Sequence, residues 1–303
     1  MIMKPIRFPI IFAALLSLPF QNAFSFTIKI SGDGGEIGTQ ASSSECRANG
    51  EEALTGNAGL TVYTDEYAYS GDRSLKLTIK EGSTGFGTFG GSINFEKCAH
   101  LGGRNLVKGD EIWIRTRLLF PSGFEFNNGS NKFLRLRSYN TVDGKTSSEG
   151  YNDLYIHGHP EKEDLKPFWY IFEGEQRWYT FGEPRHFFED FTWKTVEWYL
   201  KFDNKKESEG GDARMRVWVD GELIGDTGER RTLKTDTSFI KYFNLFTWYG
   251  NEGSPKTQSL YVDDFFMTTD APESFDADGN RFIGVGDPRT VAKPGSPVDF
   301  AVQ

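Results

Sequence analysis

Between Leu60 and Thr268 the chain is cut into short runs in which apolar and polar residues alternate, separated by Gly, Asn, Asp and Pro, and no long stretch keeps a helical period. That pattern confines the chain to a fold built mostly of β-strands. Strands are expected at Leu75–Ile79, Glu111–Phe120, Lys132–Ser138, Asp153–His157, Phe168–Glu173, Lys194–Phe202, Arg214–Val219, Tyr242–Trp248 and Ser259–Thr268. Asp220-Gly221 between two of these runs predicts a tight hairpin, because both residues tolerate positive φ. With no internal repeat and no linker, the runs predict a single all-β domain, a two-sheet antiparallel β-sandwich of the jelly-roll type. From about Pro272 the chain is richer in Gly, Pro and Asp and reads as a tail that wraps the surface or hangs loose.

The first 25 residues stand apart. Lys4 and Arg7 precede an apolar run from Ile10 to Phe20, and Ala23 and Ser25 are the small residues of a cleavage site. Residues 1–25 therefore read as a secretory signal peptide, too short in its apolar part for a spanning helix, with 26–303 as the mature domain. A secreted or periplasmic protein with no stable membrane insertion is expected. Export makes the two cysteines informative, since disulfides persist outside the cytoplasm: Cys46 and Cys98 are expected to pair, with two separate buried thiols as the other reading. Lys and Arg number 34 against 43 Asp and Glu, a net charge of -9. Such a balance argues against nucleic acid as a partner, because phosphate binding needs a surplus of cations over a whole face.

Alternation also assigns faces, because successive side chains of a strand point to opposite sides. In 111–120 the set Ile112, Ile114, Leu118 and Phe120 reads as core, which turns Trp113, Arg115 and Arg117 outward. In 132–138 Leu134 and Leu136 read as core, leaving Phe133, Arg135 and Arg137 outward with Tyr139 following, and strict alternation turns Lys132 inward. Leu154 and Ile156 turn Asp153, Tyr155 and His157 outward, with His159 beyond them. Val196, Trp198, Leu200 and Phe202 do the same for Glu197 and Tyr199. These outward faces carry Arg, Tyr, His and Trp where a solvated face would carry Lys, Glu, Ser and Thr. Aromatic rings suit the flat faces of pyranoses, and guanidinium groups grip carboxylate or sulfate at two points, so an acidic polysaccharide is the expected partner.

On these residues the chain resembles the concanavalin-like jelly-roll polysaccharide lyases, the heparin-lyase-like family in particular. The stretches that carry the resemblance are Gly109-Asp110-Glu111-Ile112-Trp113-Ile114-Arg115, Lys132-Phe133-Leu134-Arg135, Trp193-Lys194-Thr195-Val196-Glu197-Trp198, Val217-Trp218-Val219-Asp220-Gly221 and Leu260-Tyr261-Val262-Asp263-Asp264. The resemblance implies cleavage of a uronate-containing glycan by β-elimination. Lectin-like carbohydrate binding without catalysis is the alternative, since both share the fold. Glycoside hydrolysis ranks third, because the paired carboxylates it needs on one strand face are missing.

β-Elimination needs a base for the proton beside the carboxylate, a proton donor for the leaving oxygen, and a cation or hydrogen-bond donor to neutralise the carboxylate. His157 or Tyr155 is the expected base, Tyr170 the proton donor, and Arg135 with Arg137 the carboxylate clamp; Lys132 is an alternate catalytic residue. Substrate contacts are expected from Arg115, Arg117, Arg137, Tyr139, His159, Glu197, Tyr199, Trp248 and Tyr249. The resemblance also implies a structural calcium site away from the cleft, with Asp263 and Asp264 of the final strand joined by Glu36 or Asp33, and no organic cofactor. A solvated Asp pair at an edge strand is the other reading of these carboxylates. The protein is expected to act as a monomer.

Overall fold

The computed structural model describes residues 26–41, 46, 54–56, 59–126, 130–159, 162–173, 175–180, 191–205, 209, 211–250 and 253–286. Within these, the side chains of residues 55–56, 130, 157–159, 162–173, 175–180 and 229–230 lie outside the description. The expected signal segment, 1–25, falls outside as well. No helix among the described residues is long and apolar enough to cross a membrane.

In chain order the strands are β1 (Thr27–Ile30), β2 (Thr55–Gly56), β3 (Thr61–Thr64), β4 (Ser74–Ile79), β5 (Gly85–Phe86), β6 (Gly91–Asn94), β7 (Glu111–Leu119), β8 (Ser130–Val142) and β9 (Lys145–His159). There follow β10 (Lys162–Glu173), β11 (Glu175–Thr180), β12 (Lys194–Lys201), β13 (Ala213–Val219), β14 (Glu222–Arg230), β15 (Phe239–Leu245), β16 (Trp248–Tyr249) and β17 (Gln258–Thr268). One sheet runs β14-β13-β12-β7-β17-β4-β3 with β1 added to β17; the other runs β11-β10-β9-β8-β15-β6-β2. All their ladders are antiparallel, as expected for a jelly-roll sandwich. A two-stranded ribbon pairs β16 with β5.

The core lies between the sheets. Ile112, Ile114 and Leu118 of β7, Val196, Trp198 and Leu200 of β12, Leu134 and Leu136 of β8, and Leu154 and Ile156 of β9 all belong to one buried cluster, the inward sets that alternation assigns. Phe243 of β15 meets Phe265 of β17 across the layers with ring centroids 5.3 Å apart. Each such side chain, once fully buried, contributes about 1.5–3 kcal/mol relative to exposure. Asp220 (φ 50°) and Gly221 (φ 85°) form the expected hairpin turn, and Asp143 with Gly144 makes a second between β8 and β9. That second turn lengthens β8 and β9 well beyond the runs read from hydrophobicity, because their outer arms are Ser, Thr and Asn rather than apolar. Cys46 and Cys98 are joined by a disulfide with Cα atoms 5.2 Å apart, closing a 52-residue separation. In the chain-entropy account a loop of that size restricts the unfolded state by about 4 kcal/mol.

Strict alternation fails at one point in β8. In the β8–β9 ladder Lys132 pairs with Tyr155, yet Leu134 pairs with Leu154, so Phe133 is an extra residue. This β-bulge lets two consecutive side chains, Phe133 and Leu134, both enter the core, Phe133 packing on Phe246 at 4.7 Å. Phe133 is thus inside, not outside, and Lys132 comes round to the face that carries Arg135.

The tail from Pro272 to Gly286 is not loose. It lies across the outer face of the larger sheet, with Phe282 and Ile283 packed against Trp113, Tyr199 and Trp218. Asp276 closes a turn by accepting from the amides of Asp278 and Asn280.

Candidate active site

The outer face of the smaller sheet gathers the basic and aromatic residues of β8 and β9. Ladder register sets three rows across it: Lys132 opposite Tyr155, Arg135 opposite Asp153, and Arg137 opposite Tyr151. β10 continues these rows with Phe168, Tyr170 and Phe172 respectively. Beside them the β5–β16 ribbon brings Trp248 and Phe86 over the sheet: Lys132 Nζ lies 4.4 Å from the Trp248 ring centroid, and the Arg137 guanidinium 5.3 Å from that of Phe86.

Lys132 is strongly perturbed by this hollow. Its ammonium stands over the rings of Trp248, Tyr151 (4.8 Å) and Tyr155 (5.7 Å) and is mostly buried. Among the described residues no carboxylate forms an ion pair with it. Burial, followed by repulsion from Arg135, pushes its pKa down to about 8, while Asp153 opposes the shift. A lysine so placed is partly neutral in mildly alkaline solution and able to take a proton.

Arg135 is differently employed. Its Nε and Nη2 donate to the two carboxylate oxygens of Asp153, each at 2.8 Å, and its guanidinium covers the Tyr151 ring at 4.0 Å. Asp153 is fully buried and Arg135 nearly so. Its two-point grip is therefore spent on Asp153 rather than left for a substrate carboxylate. Arg137 is half-buried, pairs with no carboxylate among the described residues, and is flanked by Phe86 and Tyr139, the latter at 5.5 Å. Tyr139 in turn neighbours Phe239 and Tyr242, extending the aromatic face along the sheet.

Of the residues singled out by sequence, Lys132, Arg135, Arg137, Tyr139, Tyr155 and Trp248 thus share one face. His157 occupies a ladder position opposite Ser130 and Lys166, and Tyr170 one opposite Asp153; their side chains, and that of His159, lie outside the described residues.

Four expected substrate contacts sit elsewhere. Arg115, Arg117, Glu197 and Tyr199 belong to the other sheet, on its outer face, beneath the tail. Arg115 Nη1 donates to the carbonyls of Gly284 (2.8 Å) and Gly286 (2.5 Å), Arg117 Nη2 donates to that of Val285, and Glu197 accepts from the amides of Ile283 (2.6 Å) and Gly284 (3.0 Å). Burial holds the Glu197 carboxyl up at about 7. Tyr199 donates to the Glu111 carboxylate at 3.0 Å. Parity turned them outward correctly, but β7 and β8, consecutive in sequence, lie in different sheets. Tyr249 is also not a groove residue: it is fully buried, donating to the carbonyls of Glu125 (2.9 Å) and Phe126 (2.8 Å).

The carboxylates expected to hold calcium are engaged with donors. Asp263 accepts from the amides of Tyr69 (2.7 Å), Ser70 (3.1 Å) and Asp264 (2.7 Å), and burial raises its pKa to about 7. Asp264 accepts from Ser70 Oγ, Asp33 from the amides of Asp72 and Arg73, and Glu36 is exposed. Three amide hydrogens take up lone pairs of Asp263, and among the described residues no group of three or more His, Cys, Asp or Glu is placed to hold a metal ion. These residues as arranged do not fit a calcium cage.

No protein-family model matches this sequence, and no curated protein sequence matches it significantly. Solved structures do share the fold. A double mutant of the alginate lyase Aly36B in complex with an alginate trisaccharide superposes with a TM-score of 0.56 at 18% identity, over 81% of this chain and 98% of that one. Aly36B alone gives 0.54 at 18% identity, over 80% and 96%. The endo-beta-1,4-glucuronan lyase from the fungus Trichoderma reesei gives 0.50 at 13% identity, over 81% and 95%.

Proposed function

We propose that this protein is a polysaccharide lyase that cleaves an anionic, uronate-containing glycan by β-elimination on the outer face of the smaller sheet. The observation that carries the reading is the set of three cations on β8, Lys132, Arg135 and Arg137, ringed by Tyr151, Tyr155 and Trp248 and offset, among the described residues, by the carboxylate of Asp153, in a fold shared with alginate and glucuronan lyases. The surplus positive charge suits a uronate, and the rings suit its apolar face.

In this reading Arg137 meets the substrate carboxylate and stabilises the negative charge that develops beside it. Lys132 takes the proton from the adjoining carbon. The electron pair of that bond forms the new double bond, and the bond to the glycosidic oxygen breaks. That oxygen leaves with its pair and is protonated, a role given to Tyr170 from its ladder position opposite Asp153. Because the base must be neutral, activity rises with pH through about 8. Export by way of residues 1–25 accords with the disulfide and with a polymer met outside the cell.

The test is a panel of uronate polymers, including alginate and glucuronan, followed by ultraviolet absorbance of the unsaturated ends that only a lyase makes. Rising absorbance on an acidic polymer is expected. Binding without any rise overturns the enzymatic reading and leaves a lectin-like carbohydrate binder.

A further inference from the structure

Asp153 is a charged group at the floor of the hollow to which alternation alone assigns no role. It is fully buried, both its oxygens are engaged by Arg135, and it sits one ladder row from Lys132. A carboxylate so enclosed has no surface to offer a sugar. It can act on a substrate only through its neighbours, by the guanidinium it holds and by its own charge on Lys132. Arg135 in turn presents one flat face to Tyr151, the same ring over which Lys132 stands. Ring, guanidinium and ammonium therefore form one packed unit.

We infer that Asp153 is a positioning residue, which by clamping Arg135 against Tyr151 fixes how much positive charge bears on Lys132 and so sets when that amine can accept a proton. The inference rests on the lyase reading for its use, though not for its physics. Among the described residues, the charged and titratable groups around Lys132 are Arg135 and Arg137 on its own strand and Asp153, Tyr151 and Tyr155 on β9; β16 contributes Trp248, which carries no charge. Arg135 and Arg137 favour the neutral amine, and Asp153 favours the ammonium. Arg135 outweighs Asp153 in this balance. Charges in a partly dry site are felt strongly, so removing either partner of the clamp shifts the equilibrium, and the two removals act in opposite directions.

The experiment follows the titration of Lys132 by NMR in protein whose lysines carry 13C-methyl labels, the signal being assigned by its loss in Lys132→Ala. Asp153→Asn is expected to lower the midpoint and Arg135→Gln to raise it, each by about half a pH unit or more, roughly a three-fold change in the protonation constant. The acid limb of kcat/KM on a uronate polymer moves with the midpoint in each variant. Unchanged midpoints, or shifts of the same sign in both variants, overturn the inference. Should Asp153→Asn not fold, the double variant Asp153→Asn/Arg135→Gln decides: a midpoint above wild type is expected, and one at or below it is contradictory. Opposite NMR shifts in a protein inert on every uronate polymer sink the lyase reading and leave the clamp standing.

Discussion

The two outer faces of this sandwich are built from the same materials and come to opposite ends. Both present Arg on alternate positions of a strand, both surround the Arg with Trp and Tyr, and both bury a carboxylate beside the guanidinium. On the larger sheet Arg115, Arg117 and Glu197 are consumed by the backbone of residues 283–286. On the smaller sheet Lys132 and Arg137 pair with no carboxylate among the described residues and lie against the rings of Trp248 and Phe86. The difference teaches that a strand's composition specifies which chemistry it can present, whereas the segment lying over it decides whether that chemistry is used for binding or for folding.

The comparison breaks most sharply at Lys132. Replacement by Ala is expected to lower kcat/KM by about 10²–10⁴-fold, the range for a lost proton-transfer group, with little change in melting temperature. On the covered face the effects are reversed. Arg115→Ala leaves buried carbonyls and Glu197 uncompensated, costing about 2–4 kcal/mol of stability in denaturant titration, while kcat/KM of the folded fraction stays at the wild-type value. Removing the disulfide with Cys46→Ser/Cys98→Ser is expected to cost about 2–4 kcal/mol, again without loss of kcat/KM.

The smallest effect separates the faces by pH. Glu197 is raised to about 7 when folded, from an ordinary carboxyl value of 4.5, so the folded state holds its proton longer than the unfolded state does. Its contribution is fully present below the unfolded value and is lost as pH rises through about 7. Asp263 acts in the same direction. Glu197→Gln should therefore flatten the decline of melting temperature expected of the wild type between pH 5 and 8, without moving the acid limb of activity that the proposal assigns to Lys132. A slope that Glu197→Gln leaves unaltered would mean that the tail is held by other groups.

Much of this organisation is legible in the residues. Ile112, Ile114, Leu134, Leu136, Leu154 and Ile156 declare their inward face by alternation, Asp220-Gly221 declares its turn, and the two cysteines, in a chain read as carrying a leader, point to their bond. What escaped reading has physical causes. Whether β7 and β8 face one hollow or two depends on which sheet each joins, and strand parity carries no information about that. Lys132 was misdirected because the bulge at Phe133 costs one step of alternation and has no marker other than a second large apolar residue beside Leu134. Asp153 was missed for a related reason: the Asp143-Gly144 turn by itself sets Arg135 opposite Asn152, and the extra residue Glu149 on β9 moves the carboxylate into place. The covering tail was legible only as a tail: part of its hold is through backbone carbonyls and amides that any sequence contributes, and the apolar pair Phe282 and Ile283 that packs on Trp113, Tyr199 and Trp218 is too short to show a period.

The direct test of the central claim is a crystal structure of the Lys132→Ala variant with an acidic tetrasaccharide of alginate or glucuronan. The account predicts a saccharide lying along β8, a ring against Trp248 or Tyr151 and a carboxylate within hydrogen-bonding distance of Arg137. Saccharide bound against the other sheet, or a carboxylate held by groups remote from Arg137, would contradict it.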